Sequence, residues 1–92
     1  MDVFEQIVVK IIKSQENIIG PVAIEQAKRV PHIKVDWDKK TIDIDGDETK
    51  AVNALVDVYK ELFGQISVEV SKEAASSLVS QVPAGQLPEA LK

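Results

Sequence analysis

The chain has 92 residues, no cysteine and a formal net charge of −4 at neutral pH. This length suits a single hydrophobic core, and the lack of cysteine excludes disulfides, thiolate nucleophiles and zinc sites built on sulfur. The acidic balance disfavours binding to nucleic-acid phosphates, which requires clustered Lys and Arg. No apolar run approaches the ~18–20 residues that span a bilayer, and the N-terminal segment lacks the basic region of a signal peptide. We therefore expect one cytoplasmic domain that binds neither nucleic acid nor membrane.

The first segment predicts an amphipathic helix over about residues 3–14. Its apolar residues recur four apart and form one broad face: Val3, Phe4, Ile7, Val8, Ile11 and Ile12. This spacing is that of an α-helix with one buried side. Asp2 followed by Glu5 resembles a capping box, which marks the start of the helix.

A second helix is predicted over roughly residues 18–30. Asn17 is its candidate cap, and Pro21 falls in the first turn, where the missing N–H is tolerated. Pro31 ends it, because the residue before a proline avoids the helical region.

Two half-buried strands follow the second helix. Ile33, Val35 and Trp37 alternate with polar residues, and so do Ile42 and Ile44, as expected for a hairpin with one buried face. With the turn at Asp38-Lys39, Val35 pairs with Ile42, Ile33 pairs with Ile44, and Lys34 lies opposite Asp43. A shift by one residue would set Asp36 against Asp43, so the first register is favoured electrostatically.

A third helix is predicted from a cap at Asp47 to a stop at Gly64. Its expected buried stripe is Val52, Leu55, Val56, Tyr59, Leu62 and Phe63. Residues 66–70 alternate as in a third strand, but the later spacing and the Ala-rich segment favour a helix from about 67 to 81, capped by Ser67. Residues 83–92 are expected to form an irregular C-terminal tail.

Together these elements predict an α+β fold in the order helix–helix–β-hairpin–helix–helix, with a small two-stranded antiparallel sheet packed on helices. Residues 1–82 are expected to form the domain.

No constellation of residues indicates catalysis or a cofactor. The acidic run from Asp36 to Glu48 contains Asp43-Ile44-Asp45-Gly46-Asp47, which satisfies the first three ligand positions of a calcium loop. Glu48 and Ala54 stand where that loop requires Gly and Glu. Weak metal binding is therefore kept only as an alternative. His32 is the single histidine and has no nucleophile or second ligand beside it in the sequence. We expect a protein without enzymatic activity and without a cofactor or metal.

A glycine turn, a helix, a hairpin and another helix follow one another between residues 18 and 58. The segments concerned are Ile19-Gly20, residues 33–36, residues 41–46 and the helix that contains Ala51 and Leu55. This order distantly resembles a K-homology domain, and the resemblance covers less than half of the chain. It implies a nucleotide-clamping loop at Gly20-Pro21-Val22-Ala23, which lacks the second glycine and any basic residue. We interpret the likeness as convergent patterning and keep nucleic-acid binding as an alternative function.

The leading hypothesis is a protein-interaction or assembly domain that self-associates as a symmetric dimer. Several apolar residues fall outside the main stripes of the predicted helices, and a two-stranded hairpin covers too little area to hide them all. Trp37, beside the hairpin turn, has the amphipathic character common at interfaces. The candidate interaction residues are Val9, Ile18, Ile24, Trp37 and Val58.

Overall fold

Four helices and one β-hairpin make up the chain in a computed structural model that covers residues 1–92. The elements are α1 (Val3–Ile19), α2 (Val22–Lys28), β1 (Ile33–Asp36), β2 (Thr41–Ile44), α3 (Glu48–Phe63) and α4 (Gln65–Ala75), followed by short 3₁₀ turns at Val79–Gln81 and Glu89–Leu91. The predicted α+β fold class and the order of its elements are confirmed.

Helix α1 begins as predicted and ends later than predicted. The Asp2 carboxylate accepts a hydrogen bond from the Glu5 N–H at 2.9 Å, and the Glu5 carboxylate accepts one from the Asp2 N–H at 3.0 Å, which completes the capping box. The helix continues to Ile19 and stops at Gly20, whose φ of +76° favours glycine. The predictions of an end near residue 14 and of a cap at Asn17 are therefore wrong, and α2 is correspondingly shorter than predicted.

The hairpin has the predicted register. Ile33 pairs with Ile44, Lys34 with Asp43 and Val35 with Ile42, in antiparallel orientation. The turn is longer than predicted, because β1 ends at Asp36 and Trp37 already belongs to the turn. Lys40 closes this turn with a φ of +54°. The buried side chains of Ile33 and Ile42 join the core from the same face of the sheet.

A tight corner at Gly64 joins the last two helices. Asp47 caps α3 by accepting a hydrogen bond from the Lys50 N–H at 3.1 Å, and Gly64 ends the helix with a φ of +82°, both as predicted. The following segment is helical and forms no third strand. Its boundaries differ from the prediction: α4 ends at Ala75, and Ser67 is buried inside the helix, where its hydroxyl donates to the Gly64 carbonyl at 2.7 Å.

Helix α1 lies at the centre of the fold and contacts α2, β2, α3 and α4. Its buried face meets the buried face of α3, whose Tyr59 is fully inaccessible to solvent. The Tyr59 hydroxyl donates to the Ala23 carbonyl at 2.6 Å and so joins α3 to α2.

The irregular C-terminal segment packs on α3. The Thr49 hydroxyl donates to the Gln86 carbonyl at 2.6 Å, and the Ala90 N–H donates to the Asn53 side chain at 2.9 Å. Leu91 is buried at the end of this segment. Residues 83–92 therefore pack against the folded domain and contribute a buried side chain to its core, although they contain only one short 3₁₀ turn.

Candidate interaction surfaces

The first candidate surface is the corner between α3 and α4. Leu62, Phe63 and Ile66 lie there within five consecutive residues, and their exposed fractions are 52%, 37% and 72%. We call these three residues the corner patch. Ile66 is the most exposed large hydrophobic side chain of the protein. Such side chains usually occur singly on a surface, so three of them this close together in the chain make the corner a candidate contact site.

The corner patch arises because α3 extends beyond the end of the hydrophobic core. The buried stripe of α3 stops at Tyr59, whereas its helical spacing continues to Leu62 and Phe63. Gly64 then turns the chain directly into α4, so no further element covers the last turn of α3. The prediction that Leu62 and Phe63 are buried is thus wrong, since the sequence pattern shows the face of a helix and not where its neighbour ends.

The second candidate surface is a groove between α1 and α4 with a volume of about 630 Å³. Its lining residues are Ser14, Asn17 and Ile18 on α1 and Glu69, Val70, Glu73 and Ala74 on α4; we call it the acidic groove. Ile18 is 63% exposed. The two carboxylates are the only ionisable groups that line the groove, so its charge is negative.

A buried polar cluster joins the two helices that form the groove. The Gln15 side-chain amide donates to the Ser67 carbonyl at 3.0 Å and to the Ser71 hydroxyl at 3.2 Å. The Ser71 hydroxyl in turn donates to the Ser67 carbonyl at 2.8 Å. These bonds fix the position of α4 on α1, and hence the position of the groove walls.

The five predicted interaction residues do not form one surface. Val9, Ile24, Trp37 and Val58 are half-buried and pack against the core, and Ile18 alone among the five lies in one of the two candidate surfaces. The three residues of the corner patch were not among the candidates. Ile66 could have been found from the sequence, because it is a large apolar residue that lies just before the helix predicted from about residue 67, and therefore outside the buried stripe of that helix.

Trp37 contacts Lys40 of the same turn. The Lys40 ammonium lies 4.5 Å from the centre of the indole ring and donates to the Trp37 carbonyl at 2.7 Å. This cation–π contact and the half-buried ring stabilise the turn.

Asp45 and Asp47 of the acidic run line a small pocket of about 260 Å³ at the start of α3, together with His32. Asp47 already serves there as the helix cap. The His32 carbonyl accepts a hydrogen bond from the Asp45 N–H at 2.8 Å, which extends the hairpin by one residue. No group of three or more Asp, Glu, Cys or His side chains is placed to share a metal ion.

Two carboxyl groups meet where α1 and α3 begin. The hydrogen bond to Asp2 raises the pKa of Glu48 to about 7, and burial and the charge of Glu5 act in the same direction. Partial burial acts to raise the pKa of Asp2, but the hydrogen bonds from Glu48 and from backbone N–H groups outweigh it and lower this pKa. The pair therefore shares one proton below neutral pH.

This pair predicts a stability that decreases as pH rises from about 4.5 to about 7. The pKa of Glu48 in the folded state lies above its ordinary value of 4.5, so the proton stabilises the fold at low pH and this contribution is lost through pH 7. Because both side chains are largely solvated, the effect should stay below about 1 kcal/mol, or a few degrees in Tm. The variant Glu48→Gln should lose this part of the pH dependence.

Thermal unfolding of both proteins between pH 4.5 and 8 measures this effect, with the exposed Glu61→Gln on the same helix as the matched control. The difference in Tm between Glu48→Gln and the unmodified protein should grow with pH. A difference that is constant across this range would contradict the shared proton.

None of the helices is long and apolar enough to cross a membrane. Comparison with known protein families, curated proteins and solved structures found no match to this chain.

Proposed function

We propose that this chain is a small cytoplasmic protein-interaction domain that self-associates through the corner patch. The observation that carries the proposal is that three of the five exposed large hydrophobic side chains lie within the five residues around Gly64. A domain of this size buries a modest fraction of its surface on folding, and covering an apolar patch with a second protein adds stability.

Charge supports a second copy as the occupant of the corner patch. A twofold interface brings the same residues face to face, and the segment from Leu62 to Ile66 contains no charged residue. Lys60 and Glu61 border the patch with opposite charges, and both are exposed. In a twofold arrangement Lys60 of one copy can pair with Glu61 of the other, so the charges that border the patch are compatible with self-association.

The proposal includes neither catalysis nor nucleic-acid binding. The turn at Gly20-Pro21-Val22-Ala23, which carries the K-homology resemblance, connects α1 to α2 and contains no Lys or Arg. Its upstream element is the helix α1, whereas the K-homology pattern has a strand there. Together with the net charge of −4, these features favour a protein partner.

Sedimentation velocity over a concentration series tests the self-association. We expect a monomer–dimer equilibrium with a Kd of roughly tens of micromolar, which is typical of a weak interface. The variants Leu62→Lys and Ile66→Lys should each shift it toward the monomer, because two copies would then bury a lysine without a partner.

The matched control is Ile18→Lys, which places the same charge at another exposed isoleucine outside the corner patch, 63% exposed against 72% for Ile66. It should leave the dimer intact, and far-UV circular dichroism should be unchanged in all three variants because the altered side chains are exposed. A protein that remains monomeric at millimolar concentration, or a dimer lost only in Ile18→Lys, would contradict the proposal.

A further inference from the structure

The acidic groove combines an apolar floor with a negative rim. Ile18, Val70 and Ala74 supply apolar surface from both walls, and Ile18 is almost two-thirds exposed to solvent. Glu69 and Glu73 lie one helical turn apart on α4, so their side chains project from the same side of the helix. Grooves of this kind accept the apolar face of an amphipathic helix.

The carboxylates on the rim keep acceptor capacity for an external cation, although Glu69 also forms an exposed ion pair with Lys72 on its own helix. Glu69 is 60% exposed, and its nearest cationic group, the Lys72 ammonium, lies 4.0 Å away. The Gln65 amide reaches Glu69 at 3.3 Å, which leaves further acceptor capacity on the carboxylate. Glu73 is exposed and forms no ion pair. No cationic residue lines the groove.

The negative charge of the groove favours a positively charged partner over a second copy of the chain. A second copy of the chain docked on the groove by a twofold axis would bring four carboxylates into one interface, and each copy already carries a net charge of −4. Like charges juxtaposed across an interface suppress binding, whereas opposite charges favour it and increase the association rate. A cationic helix therefore complements the groove, and the protein itself does not.

We infer that the acidic groove binds a basic amphipathic helix of another protein. Its apolar side chains at positions i, i+3 and i+4 contact Ile18, Val70 and Ala74. Lysine or arginine residues beside this stripe pair with Glu69 and Glu73. The inference is independent of the corner patch, which is uncharged and lies outside the groove lining.

A pair of synthetic peptides tests this inference. Both have about 18 residues with leucine at helical spacing; the remaining positions are lysine in one and glutamate in the other. Fluorescence anisotropy should show that the protein binds the lysine peptide at least about tenfold more tightly than the glutamate peptide. The difference should shrink as salt is raised. Amide shifts on titration should concentrate in residues 14–18 and 69–74, which contain the groove lining.

A charge-reversal variant distinguishes binding at the groove from attraction to the net negative charge of the whole protein. Glu69→Lys/Glu73→Lys should lose the preference for the lysine peptide. The control Glu25→Lys/Asp57→Lys replaces two exposed helical carboxylates outside the groove and gives the protein the same net charge as the groove variant. This control should keep the preference for the lysine peptide. Equal losses in both double variants would overturn the inference, because the preference would then reflect net charge alone.

The same titration in the Leu62→Lys background distinguishes this inference from the proposed self-association. Retained binding of the lysine peptide supports the groove as its site, whether or not the protein dimerises. Loss of binding, or amide shifts confined to the corner patch, would overturn the groove inference and leave the test of self-association unaffected.

Discussion

Replacement of Tyr59 with alanine should destabilise the protein by about 3–5 kcal/mol, as truncations of large buried aromatic side chains do. Tyr59 is fully buried on α3, and its hydroxyl donates to the Ala23 carbonyl of α2. Burial also raises the pKa of this hydroxyl, which keeps it protonated as a donor. Since small domains have a total stability of about 5–15 kcal/mol, this single change should bring the protein close to unfolding at room temperature.

The variant Tyr59→Phe separates packing from hydrogen bonding at this position. It keeps the ring and removes the donor, so it should cost about 1–2 kcal/mol, with the buried Ala23 carbonyl losing one of its partners. Urea denaturation followed by far-UV circular dichroism measures both variants. If Tyr59→Phe cost as much as Tyr59→Ala, packing of the ring would contribute nothing, contrary to its complete burial.

The second large effect is expected at Gln15, where the change to glutamate should cost about 3 kcal/mol or more at pH 7. The Gln15 amide donates to the Ser67 carbonyl and the Ser71 hydroxyl, and all three residues are buried. A carboxylate cannot donate, and it would face the Ser67 carbonyl without a cationic partner. Burial should raise the pKa of the new carboxyl, so the folded state would bind a proton. The loss of stability should therefore be smaller near pH 4 than at pH 7.

The matched control for this change is Gln15→Leu. The Ser71 hydroxyl would still donate to the Ser67 carbonyl, so no buried donor is left without a partner, and the cost should be within about 1 kcal/mol. Chemical denaturation at pH 4 and pH 7 compares the two variants. A Gln15→Glu variant as stable as Gln15→Leu at pH 7 would show that the interface between α1 and α4 admits water.

The features predicted correctly from the sequence are those fixed by neighbouring residues. The capping box at Asp2 and Glu5, the cap at Asp47 and the stop at Gly64 each depend on contacts within a few positions. The hairpin register follows from alternation and from the opposite charges of Lys34 and Asp43. Patterns that depend on residues only a few positions apart can be recognised in a single sequence.

The features missed depend on contacts between distant segments. Residues 14–17 are polar and indicate the end of a helix, but Gln15 continues α1 because its partners lie on α4. Leu62 and Phe63 continue the apolar stripe of α3, yet nothing covers them. The acidic groove likewise requires α1 and α4 to be side by side. Both candidate surfaces therefore became visible only with the tertiary structure.

The pairing of α1 with α4 also constrains the order in which the protein assembles during synthesis. The hydrogen bonds from Gln15 to α4 span 52 and 56 positions of the chain, and closing so long a loop costs entropy before its contacts form. A ribosome releases α1 before α4, so the segment that covers the Gln15 side of α1 emerges only 52 to 56 positions later. The Gln15 side of α1 therefore stays uncovered until α4 emerges, and newly made chains should be most prone to aggregate, or to need a chaperone, before that point.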